Sequence, residues 1–444
     1  MPIKNNQGAD NIPKLRFPEF SGGWDKKKLG EVSEKINSGK TPLGGESVYT
    51  ESGVLFIRSQ NVNNDRLELD NITFISELIN AGMKNSIVKS NDILLNITGA
   101  SLGRSCVVAD DFTTGNVNQH VCIIRLKSDY NPRFVQPILS SEKGQKIFNS
   151  LQTGSGREGL NFESIKSIEL TLPSLPEQQK IASFLSAVDE KLQALKKKKS
   201  LLEQYKKGVM QKIFSLNHDS LDYHDDHDFE EEQKEKKSRL PSQSQKARLR
   251  HLRFKDDDGN AFAEWEVKNG GEIFESISNK NHSSDLPILA ISQEHGAVPR
   301  EMINYQISVT ERSVESYKVV DEGDFIISLR SFQGGIEYSK YKGICSPAYV
   351  ILRNTAPINK EFFKYYFKTD YYIQRLCEKL EGIRDGKMIS YKYFSEIELP
   401  YPSLPEQTKI SNFLSAIDEK IQLVQGQVEK MEAWKKGLLQ KMFV

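Results

Sequence analysis

Pro173-Ser174-Leu175-Pro176-Glu177-Gln178 returns 229 positions later as Pro402-Ser403-Leu404-Pro405-Glu406-Gln407. The match continues without a gap through Phe184-Leu185-Ser186-Ala187 and Phe413-Leu414-Ser415-Ala416, then Asp189-Glu190-Lys191 and Asp418-Glu419-Lys420. It ends on Lys206-Lys207-Gly208 and Gln211-Lys212, which recur as Lys435-Lys436-Gly437 and Gln440-Lys441. Internal repetition on this scale decides the architecture before any local reading. Each copy predicts one long helix, opened by prolines and by a Ser174–Glu177 capping-box pattern. Apolar residues then step by three and four. They run Ile181, Phe184, Val188, Leu192, Leu195, Leu202, Tyr205, Val209, Ile213, and again from Ile410 through Phe413, Ile417, Ile421, Val424, Val428, Met431, Trp434 and Leu438 to Met442. Such spacing predicts a coiled-coil seam between two antiparallel helices, each roughly 55–60 Å long at 1.5 Å per residue.

Outward residues recur as well as seam residues. That predicts a similar partner for each helix, with Glu177, Gln178, Lys206, Lys207 and Gln211 on the first and Glu406, Gln407, Lys435, Lys436 and Gln440 on the second as docking candidates.

Each helix follows a β-rich stretch that is itself weakly repeated. Leu15-Arg16-Phe17, Trp24 and Gly30-Glu31-Val32 match Leu252-Arg253-Phe254, Trp265 and Gly271-Glu272-Ile273. Asn91-Asp92-Ile93-Leu94-Leu95 matches Gly323-Asp324-Phe325-Ile326-Ile327, and Ile168-Glu169-Leu170 matches Ile397-Glu398-Leu399. The polar loops between these anchors do not match, as expected of two similar scaffolds that read different ligands. The expected organisation is a first domain over 1–172, a helix over 173–216, a charged linker over 217–249, a second domain over 250–401 and a second helix over 402–444. The fold class is α/β (α+β): two β-rich mixed domains separated by two long antiparallel helices, with internal pseudo-two-fold symmetry.

The chain has 444 residues and a net charge of +1. The stretch from Asn217 to Lys237 holds nine acidic residues against three lysines, so the remainder is mildly basic, which permits nucleic-acid binding without demanding it. Cys106, Cys122, Cys345 and Cys377 lack paired spacing, which argues against a zinc site or a disulfide framework and fits a reducing cytoplasm. No apolar run has the length of a membrane span. Ser38-Gly39-Lys40-Thr41 imitates the end of a phosphate loop, but Glu34 stands where the motif needs glycine and Pro42 would interrupt the helix. Neither a methyl-donor motif nor a nucleophile elbow is present, and the irregular His218, His224 and His227 cluster is not a metal site. No catalytic residue, metal or cofactor is expected in this chain.

Together these residues resemble the specificity subunit of type I restriction-modification systems. The resemblance rests on the doubled Leu-Pro-Glu-Gln lead-in, on Ser38-Gly39-Lys40-Thr41-Pro42 followed by Phe56-Ile57-Arg58, and on the Gly154-Ser155-Gly156 loop. The second half lacks a counterpart of Lys40-Thr41-Pro42. The resemblance implies two target-recognition domains, each reading one half of a split double-stranded DNA sequence. It also implies two methyltransferase (modification) subunits docked on the helices, and restriction/translocase subunits beside them. S-adenosylmethionine, ATP and magnesium would then bind the partners. Arg and Lys suit guanine, and Asn and Gln suit adenine. The DNA-reading candidates are therefore Arg58, Ser59, Gln60, Asn61, Asn96, Arg104, Asn118, Gln119 and Arg157 in the first half. In the second they are Gln293, Arg330, Ser331, Gln333, Arg384 and Lys387. A stand-alone DNA-binding or architectural protein with a coiled coil is the alternative.

Overall fold

The computed structural model describes residues 11–63, 65–152, 159–214, 252–282, 285–303, 314–378 and 389–443. The charged 217–249 linker, Gly154-Ser155-Gly156, Arg157, Arg384 and Lys387 lie outside them. The chain divides into two compact units, Met1–Lys197 with Gly426–Val444, and Lys198–Gln425. Each unit thus takes the beginning of one long helix and the end of the other.

In the first unit, strands Ser33–Ser38, Val121–Leu126, Ile93–Asn96 and Ser105–Val107 form an antiparallel sheet in that order. Side chains alternate along a strand with period two, and here both faces are covered. Cys122, Ile124 and Leu126 join Ile93 and Leu95 on one face, while Val121 and Ile123 join Leu94 on the other. This explains why the central strands read as unbroken apolar runs rather than as alternation. A second sheet orders Thr73–Ile75, Val54–Ile57, Gly115–Val117 and Ile87–Val88. A two-stranded ribbon pairs Asp25–Lys28 with Glu169–Leu172, which hands the chain to the helix Leu175–Phe214.

The second unit repeats the first sheet and the ribbon, while the pairs Leu289–Ser292 with Gly296–Pro299 and Lys318–Val320 with Gly343–Cys345 stand in place of the second four-stranded sheet. Phe274–Ile277, Val350–Asn354, Phe325–Ile327 and Glu337–Tyr338 take the same order, and Glu266–Asn269 pairs with Glu398–Tyr401 before the helix Leu404–Met442. Phe325, Ile327 and Leu352 face one cluster, while Ile326 and Ile351 face another. Two short helices follow, Lys360–Tyr366 and Asp370–Glu378. Thr369 separates them, its hydroxyl donating to the Tyr366 carbonyl.

The helices belong to the cores of the units. Ile181, Leu185 and Val188 share the first core with Leu438 and Met442, and Val209, Ile213 and Phe214 share the second with Ile410, Leu414 and Ile417. Each fully buried side chain of this size contributes about 1.5–3 kcal/mol. Within each unit the two helical segments run antiparallel. In the first, Lys435 meets Asp189 at 2.7 Å and Lys196 meets Glu432 at 2.7 Å. In the second, Lys206 meets Asp418 at 2.6 Å, the repeat-related counterpart of the Lys435–Asp189 pair. Tyr205 and Trp434, assigned to the seam by spacing, are instead 53% and 48% exposed.

The repeated Glu-Gln pair is also explained internally. Arg16 donates to both oxygens of Glu177 at 2.7 Å, so this carboxylate serves an ion pair instead of the expected capping box. Arg253 and the Trp265 indole N–H donate to Glu406. Gln178 accepts from the Asn131 backbone N–H and donates to the Pro173 carbonyl, and Gln407 does the same with Asn359 and Pro402. Glu177, Gln178, Glu406 and Gln407 are all at most 1% exposed. They recur because each pins a domain onto the start of its helix. This corrects their reading as docking residues. Lys206 and Lys435 are likewise engaged inside their units. Lys207, Gln211, Lys436 and Gln440 remain exposed.

Candidate nucleic-acid interface

In the first unit four loops converge at the strand ends. Asn118 donates its backbone N–H to the Ile57 carbonyl, and Gly39 donates to the Asn118 carbonyl. A Cβ on Gly39 would sit 1.6 Å from the Val117 carbonyl oxygen, so only glycine permits this approach. Ile97 donates to the His120 carbonyl, and the Asn96 amide donates to the carbonyls of Ser59 and Val62. Loops around 39–42, 57–63, 96–104 and 118–120 are thereby fastened side by side.

Exposure sorts the eight candidates of this half that lie among the described residues. Asn61, Asn96 and Asn118 are 2%, 0% and 7% exposed and hold backbone. Asn61 accepts from the Arg58 backbone N–H and donates to the Glu68 carbonyl, and Asn118 accepts from the His120 backbone N–H. They are corrected from reading residues to loop-building residues, because a buried amide spends its donors and acceptors on the turn that buries it. Gln60, Arg104 and Gln119 are exposed, and Arg58 and Ser59 are half-buried. The Arg58 guanidinium lies 5.7 Å from the Tyr49 ring centroid, a cation–π contact that orients it, and Arg104 donates to Asn63 Oδ1. Neither arginine is ion-paired among the described residues.

A second loop, 61–66, is tied to both long helices of this unit. The Arg66 guanidinium donates to Gln193 at 2.9 Å, and Asp65, at φ 65°, accepts from Gln136 at 2.7 Å and lies 3.4 Å from Lys435. Sequence reading passed over Asp65 and Arg66, since nothing in the local spacing announces a partner 370 positions away.

In the second unit Gln293 sits in the turn joining Leu289–Ser292 to Gly296–Pro299 and donates to the Arg330 carbonyl at 3.2 Å. Arg330 and Gln333 are exposed beside it. Ser331, 1% exposed, accepts from the Ser328 backbone N–H at 2.8 Å, so it too is corrected from reader to loop builder. Phe332 is half-buried against the second core. Gly335, at φ 79°, leaves the loop where a Cβ would strike the Phe367 carbonyl oxygen at 2.0 Å. Lys368 anchors the loop by donating to the Gly334 carbonyl at 2.9 Å and to Glu337. Burial raises the Glu337 carboxyl above its usual range, although Lys368 pulls it the other way.

Cys106, Cys122 and Cys345 are buried free thiols, and desolvation pushes Cys122 and Cys345 up to about 12. Cys377 is half-buried and its thiol donates to the Phe332 carbonyl. Among the described residues no group of three His, Cys, Asp or Glu is placed to hold a metal ion, and no helix is long and apolar enough to cross a membrane.

The chain matches a family model described as "Type I restriction modification DNA specificity domain" twice, over residues 21–204 and 263–433. It is 22% identical to the putative type I restriction enzyme MjaX specificity subunit of Methanocaldococcus jannaschii, with 97% of this chain and 95% of the relative covered. Against the MjaVIII specificity subunit of the same organism the identity is 24%, with 99% and 96% covered. Over a shorter stretch, 30% of this chain and 27% of the relative, it is 32% identical to the EcoBI specificity subunit of Escherichia coli. Among solved structures, the type I S subunit from M. genitalium superposes with a TM-score of 0.56 at 17% identity, covering 98% of this chain and 99% of that one. A chain from a structural study of complex assembly in the type I R-M system gives 0.53 at 16%, covering 96% and 98%. With two copies of the specificity domain spanning most of its length, this chain belongs to the type I restriction-modification specificity-subunit family.

Proposed function

We propose that the chain reads a bipartite duplex DNA target, one half-site per unit, and brings two methyltransferase subunits to it. The observation that carries this reading is the contrast between the two scaffolds and their loops. The order of the first sheet, the ion pairs and the helix lead-in recur, while the exposed loop residues differ, Gln60, Arg104 and Gln119 in one unit and Gln293, Arg330 and Gln333 in the other. Exposed donors on braced loops suit base edges, and nearby cations suit phosphates. The long helices act as the spacer. The outward residues Tyr205, Lys207 and Gln211, with their counterparts Trp434, Lys436 and Gln440, supply two equivalent docking patches. Methyl donor, ATP and magnesium chemistry belongs to the partners, including restriction subunits.

Replacing residues 14–172 with the corresponding domain of another family member tests this. Methylome sequencing of the host should show one half-site changed and the other kept, and methyltransferase subunits should co-purify. A change in both half-sites, or a chain that purifies as a lone monomer with only salt-sensitive, sequence-indifferent DNA binding, would refute it.

A further inference from the structure

At the converging loops of the first unit, four side chains form a continuous hydrogen-bonded chain. Thr41 donates its hydroxyl to Gln119 Oε1. Gln119 Nε2 lies 3.0 Å from His120 Nε2, and His120 Nδ1 lies 2.6 Å from Thr98 Oγ1. With the amide N–H toward His120 Nε2, that nitrogen accepts and Nδ1–H donates to Thr98. With the other tautomer the amide turned over accepts from Nε2–H and donates to Thr41, and Thr98 donates to Nδ1, so the two hydroxyls complete the network either way. The amide plane is therefore held from both ends. Its plane still offers one lone pair on oxygen and one N–H on nitrogen, since each atom has two such sites and has used one. Both remain on an exposed side chain, on a loop fastened to the loops that carry Arg58 and Arg104. An acceptor–donor pair on a held amide plane is complementary to the N6 amino group and N7 of adenine in the major groove.

We propose that Gln119 reads an adenine in the first half-site, with Thr41, His120 and Thr98 as positioning residues that set its amide. The inference rests on the reading of these loops as DNA-facing. It singles out Gln119 among the candidates and adds three positioning residues that spacing had not marked for this role.

The test is selection from a pool of duplexes with both half-sites randomised, using the full chain with its co-purifying partners. The wild type should enrich a bipartite motif with adenine at a position that Gln119→Ala erases. The expected loss there is roughly 5- to 150-fold in preference over the other bases, with every other position unchanged. Thr41→Val should blunt the same preference, and Thr41→Ser, which keeps the hydroxyl, should retain it. Matching thermal unfolding curves exclude misfolding as the cause, and the Thr41 pair decides between positioning and bulk. A uniform loss of affinity in Gln119→Ala would identify a phosphate contact and overturn the proposal. So would an unchanged motif, a motif that loses a different base, or a Thr41→Val variant indistinguishable from Thr41→Ser. If the wild type enriches no motif at all, the DNA-reading function itself fails, and this inference with it.

Discussion

Lengthening both helices by one turn should move the half-sites apart and leave their sequences alone. Counting inward from the Asp189–Lys435 pair of the first unit places residue 197 opposite 427, and counting from the Lys206–Asp418 pair of the second places 199 opposite 425. Four residues inserted after Lys197 and four after Gln425 therefore lengthen the two antiparallel segments at matching levels. Four residues are close to one turn of 3.6, so each buried face stays nearly in phase and the two cores are preserved. At 1.5 Å per residue the added length is about 6 Å. With DNA rising about 3.4 Å per base pair, the unread spacer should grow by about two base pairs. Methylome sequencing of a host carrying the lengthened chain reads spacer and half-sites together. Altered half-sites with the old spacer would refute the reasoning, because the helices would then be docking elements and not the ruler. An insertion in one helix alone is the control: it breaks the level match and should abolish the modification.

The buried Asp92–Arg125 and Asp324–Arg353 pairs each brace a turn, with the Asp side chains 1% exposed and the arginines 19% and 35% exposed. Asp92→Ala or Asp324→Ala should each cost about 3 kcal/mol in urea unfolding, at the low end for a broken buried pair because the guanidinium is partly wet. A loss below about 1 kcal/mol would show the pairs to be dispensable. Because burial raises the Glu337 carboxyl, the folded state holds a proton there that the unfolded chain releases at lower pH. Its contribution is fully present below the unfolded value and is lost as pH rises through the folded one. Glu337→Gln should flatten that part of the stability–pH profile, and an unaltered profile would count against it. Tyr205→Ala with Trp434→Ala should weaken methyltransferase co-purification while isolated unfolding stays nearly unchanged, since both rings are about half exposed. Full retention of partners would move the docking patch elsewhere.

The sequence alone determined the plan. A gapless repeat of Pro-Ser-Leu-Pro-Glu-Gln and the three-and-four apolar stepping sufficed for two long helices, because helical periodicity is local and 23 of the 43 positions from Pro173 to Ser215 recur. The absence of familiar catalytic spacings, and the unmatched loops between matched strands, could be read in the same way. Tertiary structure decided what the recurring polar residues are for. Glu177 and Glu406 are shared because each buries a carboxylate against an arginine more than a hundred positions away. No pattern along one chain distinguishes that from a docking surface. It also separated the amides that build loops, such as Asn61, Asn96 and Asn118, from those left exposed, such as Gln60 and Gln119. The physical reason is the same in both cases. Spacing reports which face of an element a residue occupies, but burial and hydrogen-bond partners depend on which distant segments pack there.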